Sequence, residues 1–245
     1  MPEPEAGAPR ILVVQNSAGS ALRRFGEWWA EDGLAVDIVR AFDGDAIPDL
    51  GGYHALVLLG GGLMPDEDDR APWLPREREV TREALQAGLP LLGLCLGGQL
   101  MAHVAGGKVQ AKHGLPENGS TELTRLPEAE NDALFGPLPR SFQAIEHRVD
   151  SITELPPDAV WLASSERCPI QAFRLGNAAW ACQFHPEVGA DRVQAWDREE
   201  LAEQGFDPDD IVRKAVAAEP VSEPQWRAFA QRFADLVKSS AAIRQ

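Results

Sequence analysis

The stretch Leu91-Leu92-Gly93-Leu94-Cys95-Leu96-Gly97-Gly98-Gln99 sets an apolar run against a cysteine and follows it with paired glycines. Residues 91–94 carry no polar side chain and come just after the breakers Gly88 and Pro90, which reads as a short strand buried on both faces. A short helix is predicted to start directly after Cys95. A sharp strand-to-helix turn of this kind brings two stretches of backbone close together, and small neighbours make the approach possible. The turn presents the sulfur at a helix N-terminus, where unpaired N–H groups and the dipole favour a thiolate. It also makes the Leu96 amide a donor to an oxyanion. The same segment fits a second reading, in which Cys95 is a small buried hydrophobe among glycines that serve packing. The segment alone leaves both open.

The surrounding pattern repeats strand and helix. Residues 11–14 form a β-branched and aliphatic run ending in Gln15-Asn16-Ser17, and residues 21–30 follow with Leu22, Phe25 and Trp29 at helical spacing. Gly33 stops that helix, residues 35–39 make a second strand, and residues 55–59 make a third that runs into Gly60-Gly61-Gly62. Residues 77–87 read as a helix with Val80, Ala84 and Leu85 on one side. Alternation of this kind implies parallel strands with right-handed crossovers, so the first 110 residues or so predict an α/β doubly wound domain. Ligands of such sheets lie beyond the carboxyl ends of the strands.

From residue 120 to 184 the pattern turns β-rich, with candidate strands at 121–124, 141–146, 159–163, 170–174 and 179–184, spaced closely enough for hairpins. The last fifty residues read as helical. Trp226, Phe229, Phe233, Leu236 and Val237 fall at helix intervals, with Pro224 suited to a first turn. The expected architecture is α/β: a mostly parallel, flavodoxin-like sheet flanked by helices, with a β-rich second half and C-terminal helices. Residues 10–190 are expected to form one domain, 191–245 a helical extension packed on it, and 1–9, with Pro2, Pro4 and Pro9, a disordered tail.

Bulk properties narrow the function classes. Hydrophobic residues at 44% and charged residues at 25% of 245 match an ordinary globular protein, so neither disorder nor a fibrous design is indicated. A formal net charge of −15 repels phosphate backbones, and no Lys/Arg cluster offers a local exception, which argues against a nucleic-acid partner. The longest strongly apolar run, residues 89–96, is far short of the ~20 residues that span a bilayer, so no membrane partner is expected. The N-terminus lacks the apolar core of a secretory signal. Cysteines at 95, 168 and 182 are odd in number and form no CxxC pair, which suits a reducing, cytoplasmic location.

A second segment bears on Cys95. Gln183-Phe184-His185-Pro186-Glu187 ends a predicted strand and sets an imidazole and a carboxylate two residues apart, pointing the same way. A cysteine nucleophile needs an imidazole to hold it as thiolate and to protonate the leaving amine, and the imidazole needs a carboxylate to fix its tautomer. Cys95, His185 and Glu187 supply that set. A metal site would need further ligands at zinc-like spacing, and none is present; no metal or other cofactor is expected.

Gly93-Leu94-Cys95-Leu96-Gly97-Gly98-Gln99 together with Phe184-His185-Pro186-Glu187 resembles the signature pair of class I (triad) glutamine amidotransferases, in particular the GMP-synthetase-like branch. The resemblance covers about residues 50–190. It implies a glutaminase that cleaves the glutamine side-chain amide through a glutamyl thioester, with Cys95 as nucleophile, His185 as base and Glu187 orienting it. It further implies the Gly61 amide as a second oxyanion donor beside Leu96, although Gly62 departs from a frequent proline. Gln99, Glu146 and His147 correspond to substrate-binding positions, with the usual His-Gly-Asp lengthened here to His147-Arg148-Val149-Asp150.

Relatives of this kind usually pass ammonia to a synthetase domain or subunit. No Gly-x-x-x-x-Gly-Lys-Ser/Thr loop occurs, so the acceptor chemistry is expected on a separate protein. Two alternatives stand beside this: a partner-independent γ-glutamyl amide or peptide hydrolase using the same triad, and a non-catalytic regulatory or binding module on the same fold. His54, His103 and His113 lack partners at suggestive spacing. The acidic run Asp66-Glu67-Asp68-Asp69 reads as a solvated loop that could border the site, and Trp73 as either lid or packing.

Overall fold

The computed structural model describes residues 7–244, so most of the tail expected at 1–9 lies outside the described residues. The chain opens with β1 (Arg10–Gln15), α1 (Arg24–Glu31), β2 (Ala35–Arg40), β3 (Ala55–Leu58), α2 (Leu74–Ala87), β4 (Leu91–Leu94) and α3 (Leu96–Val104). It continues through β5 (Lys108–Gln110), β6 (Glu117–Arg125), β7 (Ser141–Arg148), β8 (Ser151–Glu154), β9 (Val160–Ser164), β10 (Ala172–Leu175) and β11 (Ala179–Cys182). It ends in α4 (Ala190–Val193), α5 (Arg198–Glu203) and α6 (Pro208–Arg244).

A nine-stranded sheet runs β2-β1-β3-β4-β11-β10-β9-β6-β7. Its first five strands are parallel, and the other four extend it in antiparallel fashion. β4 lies inside the parallel half, with Gly93 opposite Leu58 of β3 and Leu94 opposite Cys182 of β11. The carboxyl ends of β3, β4 and β11 are therefore neighbours. Their following loops carry the glycine turn, Cys95 and His185.

Both faces of the sheet are covered. In β1, Ile11 and Val13 face a core that holds Phe25 and Trp29 of α1 and Trp226, Phe229 and Phe233 of α6. Leu12 and Val14 face the opposite core with Val80 and Ala84 of α2 and Met101 and Ala102 of α3. Each fully buried side chain of this size is worth about 1.5–3 kcal/mol of transfer free energy. The indoles also find acceptors: Trp29 Nε1 donates to Ala230 O at 3.0 Å and Trp226 Nε1 to Gln143 O at 3.1 Å.

Three local expectations are corrected. α1 starts at Arg24 rather than 21, because Arg23 holds φ at 50°, outside helical backbone. α6 is a single 37-residue helix that runs through Pro220 and Pro224, so Pro224 does not open it. The buried contacts of Trp226, Phe229 and Phe233 hold the helix together despite the hydrogen bonds that proline cannot donate. The antiparallel pair β5–β8 was not expected, since strands of three and four residues carry too little periodicity to be read. Among the described residues, no helix is long and apolar enough to cross a membrane.

Candidate active site

Cys95 occupies the turn between β4 and α3 with φ 51° and ψ −108°, a backbone that L residues seldom adopt. The turn is held from both sides, with Cys95 N–H donating to Cys182 O at 2.7 Å and Gln99 N–H to Cys95 O at 2.9 Å. Close approach explains the flanking glycines: a Cβ on Gly97 would fall 2.1 Å from Leu58 O, and one on Gly93 2.6 Å from the Gly97 backbone. Any larger residue would force β3, β4 and α3 apart.

His185 comes three residues after β11. Its N–H donates to Ile145 O at 2.8 Å, which fixes the backbone against β7. The ring Nδ1 pairs with Glu187 Oε1 at 2.7 Å, so the carboxylate selects the tautomer and leaves Nε2 for the sulfur side. Burial alone would lower the pKa of this ring, but Glu187 and the adjacent Cys95 outweigh it and raise the value well above the ordinary one. The surroundings therefore favour the proton-bearing form of the ring. A Cβ on Gly60 would meet His185 Cε1 at 3.1 Å and Cys95 Cβ at 3.5 Å, so the glycine turn packs close against both the imidazole and the cysteine, which are themselves within hydrogen-bonding reach of each other.

These groups open into one cavity of about 330 Å³ beside Cys95, at the small end of the ~300–1,000 Å³ usual for small-ligand sites. Gly61, Cys95, His185 and Glu187 line it, as does His147. The structure does not bring Gln99 and Glu146 into the lining. Gln99 is 2% exposed within α3, and the alternation of β7 sends Glu146 inward from the face that carries His147. Glu146 sits with the Glu117–Arg148 ion pair, and burial first, then Glu117, pushes its carboxyl up to about 8. The Leu96 side chain is buried in its own cluster with Leu74 and Leu100.

The opposite wall, which sequence reasoning missed, comes from α4 and α5. Trp196 stacks on the His147 ring with centroids 4.5 Å apart at 28°. His147 Nδ1–H donates to Asn118 Oδ1 at 2.7 Å, and Asn118 Nδ2 donates to Gln204 Oε1 at 2.8 Å. Desolvation under Trp196, with the positive charges of His185 and Arg192 nearby, lowers the His147 pKa and keeps that ring neutral. Arg192 also lines the cavity and makes no ion pair among the described residues.

The loop carrying Glu187 is pinned from below. Arg24 donates to Pro186 O at 3.0 Å and to Glu219 of α6 at 3.0 Å, while Glu219 also accepts from Ala190 N–H. Nothing in the local sequence flags a contact 162 or 195 residues apart. Asp68 of the acidic run forms a two-pronged pair with Arg78, and none of its four residues lines the cavity. Among the described residues, no cluster of His, Cys, Asp and Glu could hold a metal.

The sequence profile of the family described as Glutamine amidotransferase class-I matches residues 22–195. A GMP synthase of Aeropyrum pernix is 31% identical over 214 residues, covering 85% of this chain and 40% of that protein. γ-Glutamyl peptidase 5 of Arabidopsis thaliana is 28% identical over 234 residues, covering 90% and 89%. The crystal structure of a glutamine amidotransferase from Thermotoga maritima superposes with a TM-score of 0.84 at 26% identity, covering 93% of this chain and 98% of that one. Against the GMP synthases and GMP synthase A subunits it matches first, the chain spans only 40–58% of their length.

Proposed function

The chain belongs to the class-I glutamine amidotransferase family, and on that premise we propose that it hydrolyses a γ-carboxamide of the glutamine type through a thioester on Cys95. The observation that carries this reading is the packing of a strained Cys95, the Glu187-paired His185 and the glycine turn at residues 60–62 against one another at one cavity. The other two thiols are unsuited to attack: burial pushes Cys168 up to about 12 and Cys182 well above the ordinary value.

In the proposed reaction the Cys95 thiolate attacks the carboxamide carbon, and the amides of Gly61 and Leu96 receive the oxyanion. His185 gives its proton to the leaving nitrogen as the C–N bond breaks, leaving a glutamyl thioester and a neutral imidazole. Water then attacks the thioester with His185 taking a proton, and the carboxylate and the thiolate are released. Glu187 keeps Nδ1 protonated throughout. His147 lies where the substrate's amino-acid end would rest. A glutamine-derived electrophile should label Cys95 alone, and mass-spectrometric mapping of the adduct to Cys168 or Cys182 would remove the reading.

For glutamine, the ammonia would go to an acceptor enzyme on a separate protein, as the likeness to GMP synthase A subunits suggests. The α4–α5 wall favours a second reading. It closes the cavity with the chain's own residues, and the likeness to a γ-glutamyl peptidase extends over nearly the whole chain. Under that reading a larger γ-glutamyl amide is cleaved without a partner. Rates for glutamine and for γ-glutamyl amides, measured on the purified chain, separate the two.

A further inference from the structure

Behind the glycine turn lie three side chains that touch no reacting atom and are bonded to one another. Asn16 follows β1 and is 2% exposed. Its Nδ2 donates to Leu59 O at 3.1 Å and to Glu77 Oε1 at 2.9 Å, which commits both amide hydrogens. Its Oδ1 accepts from Trp73 Nε1 at 2.8 Å. Leu59 immediately precedes Gly60, so holding its carbonyl holds the peptide plane from which the turn departs. Asn16 also touches the turn itself: a Cβ on Gly61 would meet Asn16 Cβ at 3.1 Å and Leu96 Cδ2 at 2.9 Å. The Gly61 backbone is gripped between Asn16 and the first residue of α3.

Glu77, in the first turn of α2, is fully buried. One carboxyl oxygen takes the Asn16 hydrogen bond, and the other has no hydrogen-bond partner. Burial pushes the carboxyl up to about 8 against the pull of Asn16 and Arg78, so the group is neutral at physiological pH. An apolar residue could fill this space without stranding a polar oxygen. What the carboxyl alone provides is its contact with Asn16. Trp73 is accounted for in the same way, as the donor that completes the Asn16 amide.

We propose that Asn16, Trp73 and Glu77 are positioning residues that hold the turn at residues 60–62 with the Gly61 amide aimed at the developing oxyanion. The proposal rests on the thioester reading above. It makes the turn a rigid element braced by β1 and α2.

The test compares turnover with alkylation of Cys95 by iodoacetamide, a displacement that builds no oxyanion. Trp73→Phe keeps the ring and loses the donor, Glu77→Leu removes the acceptor, and Glu77→Gln keeps a carbonyl for Asn16. Loss of a whole oxyanion donor costs roughly 10²–10³ in kcat, so loosening one should lower kcat about 10-fold in Trp73→Phe and Glu77→Leu. KM and the alkylation rate should stay within about 2-fold, and Glu77→Gln should recover most of the lost kcat. Should Glu77→Leu fail to fold, Trp73→Phe and Glu77→Gln still decide. Unchanged kcat in Trp73→Phe, or a parallel fall in alkylation, would overturn the brace while leaving the thioester reading intact. If no γ-glutamyl amide is turned over, or if turnover survives Cys95→Ala, both fall.

Discussion

Cys95 is where backbone strain and the proposed chemistry meet. A side chain at φ 51° and ψ −108° is held there at a cost of about 1–3 kcal/mol, which the hydrogen bonds to Cys182 and Gln99 and the packing of Gly97 on β3 offset. Cys95→Ala and Cys95→Gly should both lose turnover, yet Cys95→Gly should be the more stable by about 1 kcal/mol because glycine adopts positive φ without strain. Urea denaturation of the two variants measures this, and equal midpoints would mean that the turn is relaxed. In the proposed reaction the His185 ring supplies a proton and then recovers one, so His185→Asn should lower kcat by about three orders of magnitude. Glu187→Gln should cost less, since it disturbs the tautomer and removes no proton carrier. The Cys95 turn and the His185–Glu187 pair were legible in the sequence because the flanking glycines and a spacing of two residues are written locally, although Cys95 and His185 themselves meet only in the fold. Arg24, Glu219 and Asn16 were not, because their partners lie 29 to 195 residues away.

Among the elements, α2 ties chemistry to stability. The Glu77 carboxyl has an ordinary value of 4.5 and is pushed up to about 8 in the fold by burial. Between those values the unfolded chain has released the proton while the folded chain keeps it, so this group's contribution to stability falls as pH rises through the window and is level outside it. Going from pH 5.5 to 7.5 should cost the wild type on the order of 1–3 kcal/mol more than it costs Glu77→Gln, as read from denaturation at the two pH values. An identical pH slope would place the Glu77 titration elsewhere. The wall of α4 and α5 makes a separate claim: Trp196→Ala removes the stack on His147 and should raise KM about 10-fold with a smaller change in kcat, since no reacting atom is touched. Sequence patterns located β1, β4, β6, β7, β9, β10 and β11 to within a few residues, and missed the short β5 and β8. They gave residues 191–245 as a helical extension but assigned no role at the site to α4 and α5, whose short helices bury few residues and acquire meaning only from the cavity they face.

At the scale of the molecule, the choice is between supplying ammonia and acting alone. The cavity lies beyond the carboxyl ends of parallel strands, where an acceptor enzyme would have to dock to collect ammonia, and α4 and α5 already stand along one side of it. If a separate acceptor exists, docking should shift the site toward its active geometry. An allosteric coupling of about 1–3 kcal/mol gives roughly 5- to 150-fold activation of glutamine hydrolysis, and the isolated chain should then be slow. The brace on the glycine turn argues against a large conformational gain, because a turn held by Asn16 and Leu96 has little room to be brought into register. We therefore expect the purified chain, without partner, to cleave a γ-glutamyl amide with a larger leaving amine faster than glutamine, by at least about 10-fold in kcat/KM. Steady-state assays of glutamine against γ-glutamyl amides of increasing leaving-group size test it, repeated with candidate acceptor proteins. A preference for glutamine that appears only when an acceptor and its substrates are added would establish the ammonia-supplying reading instead.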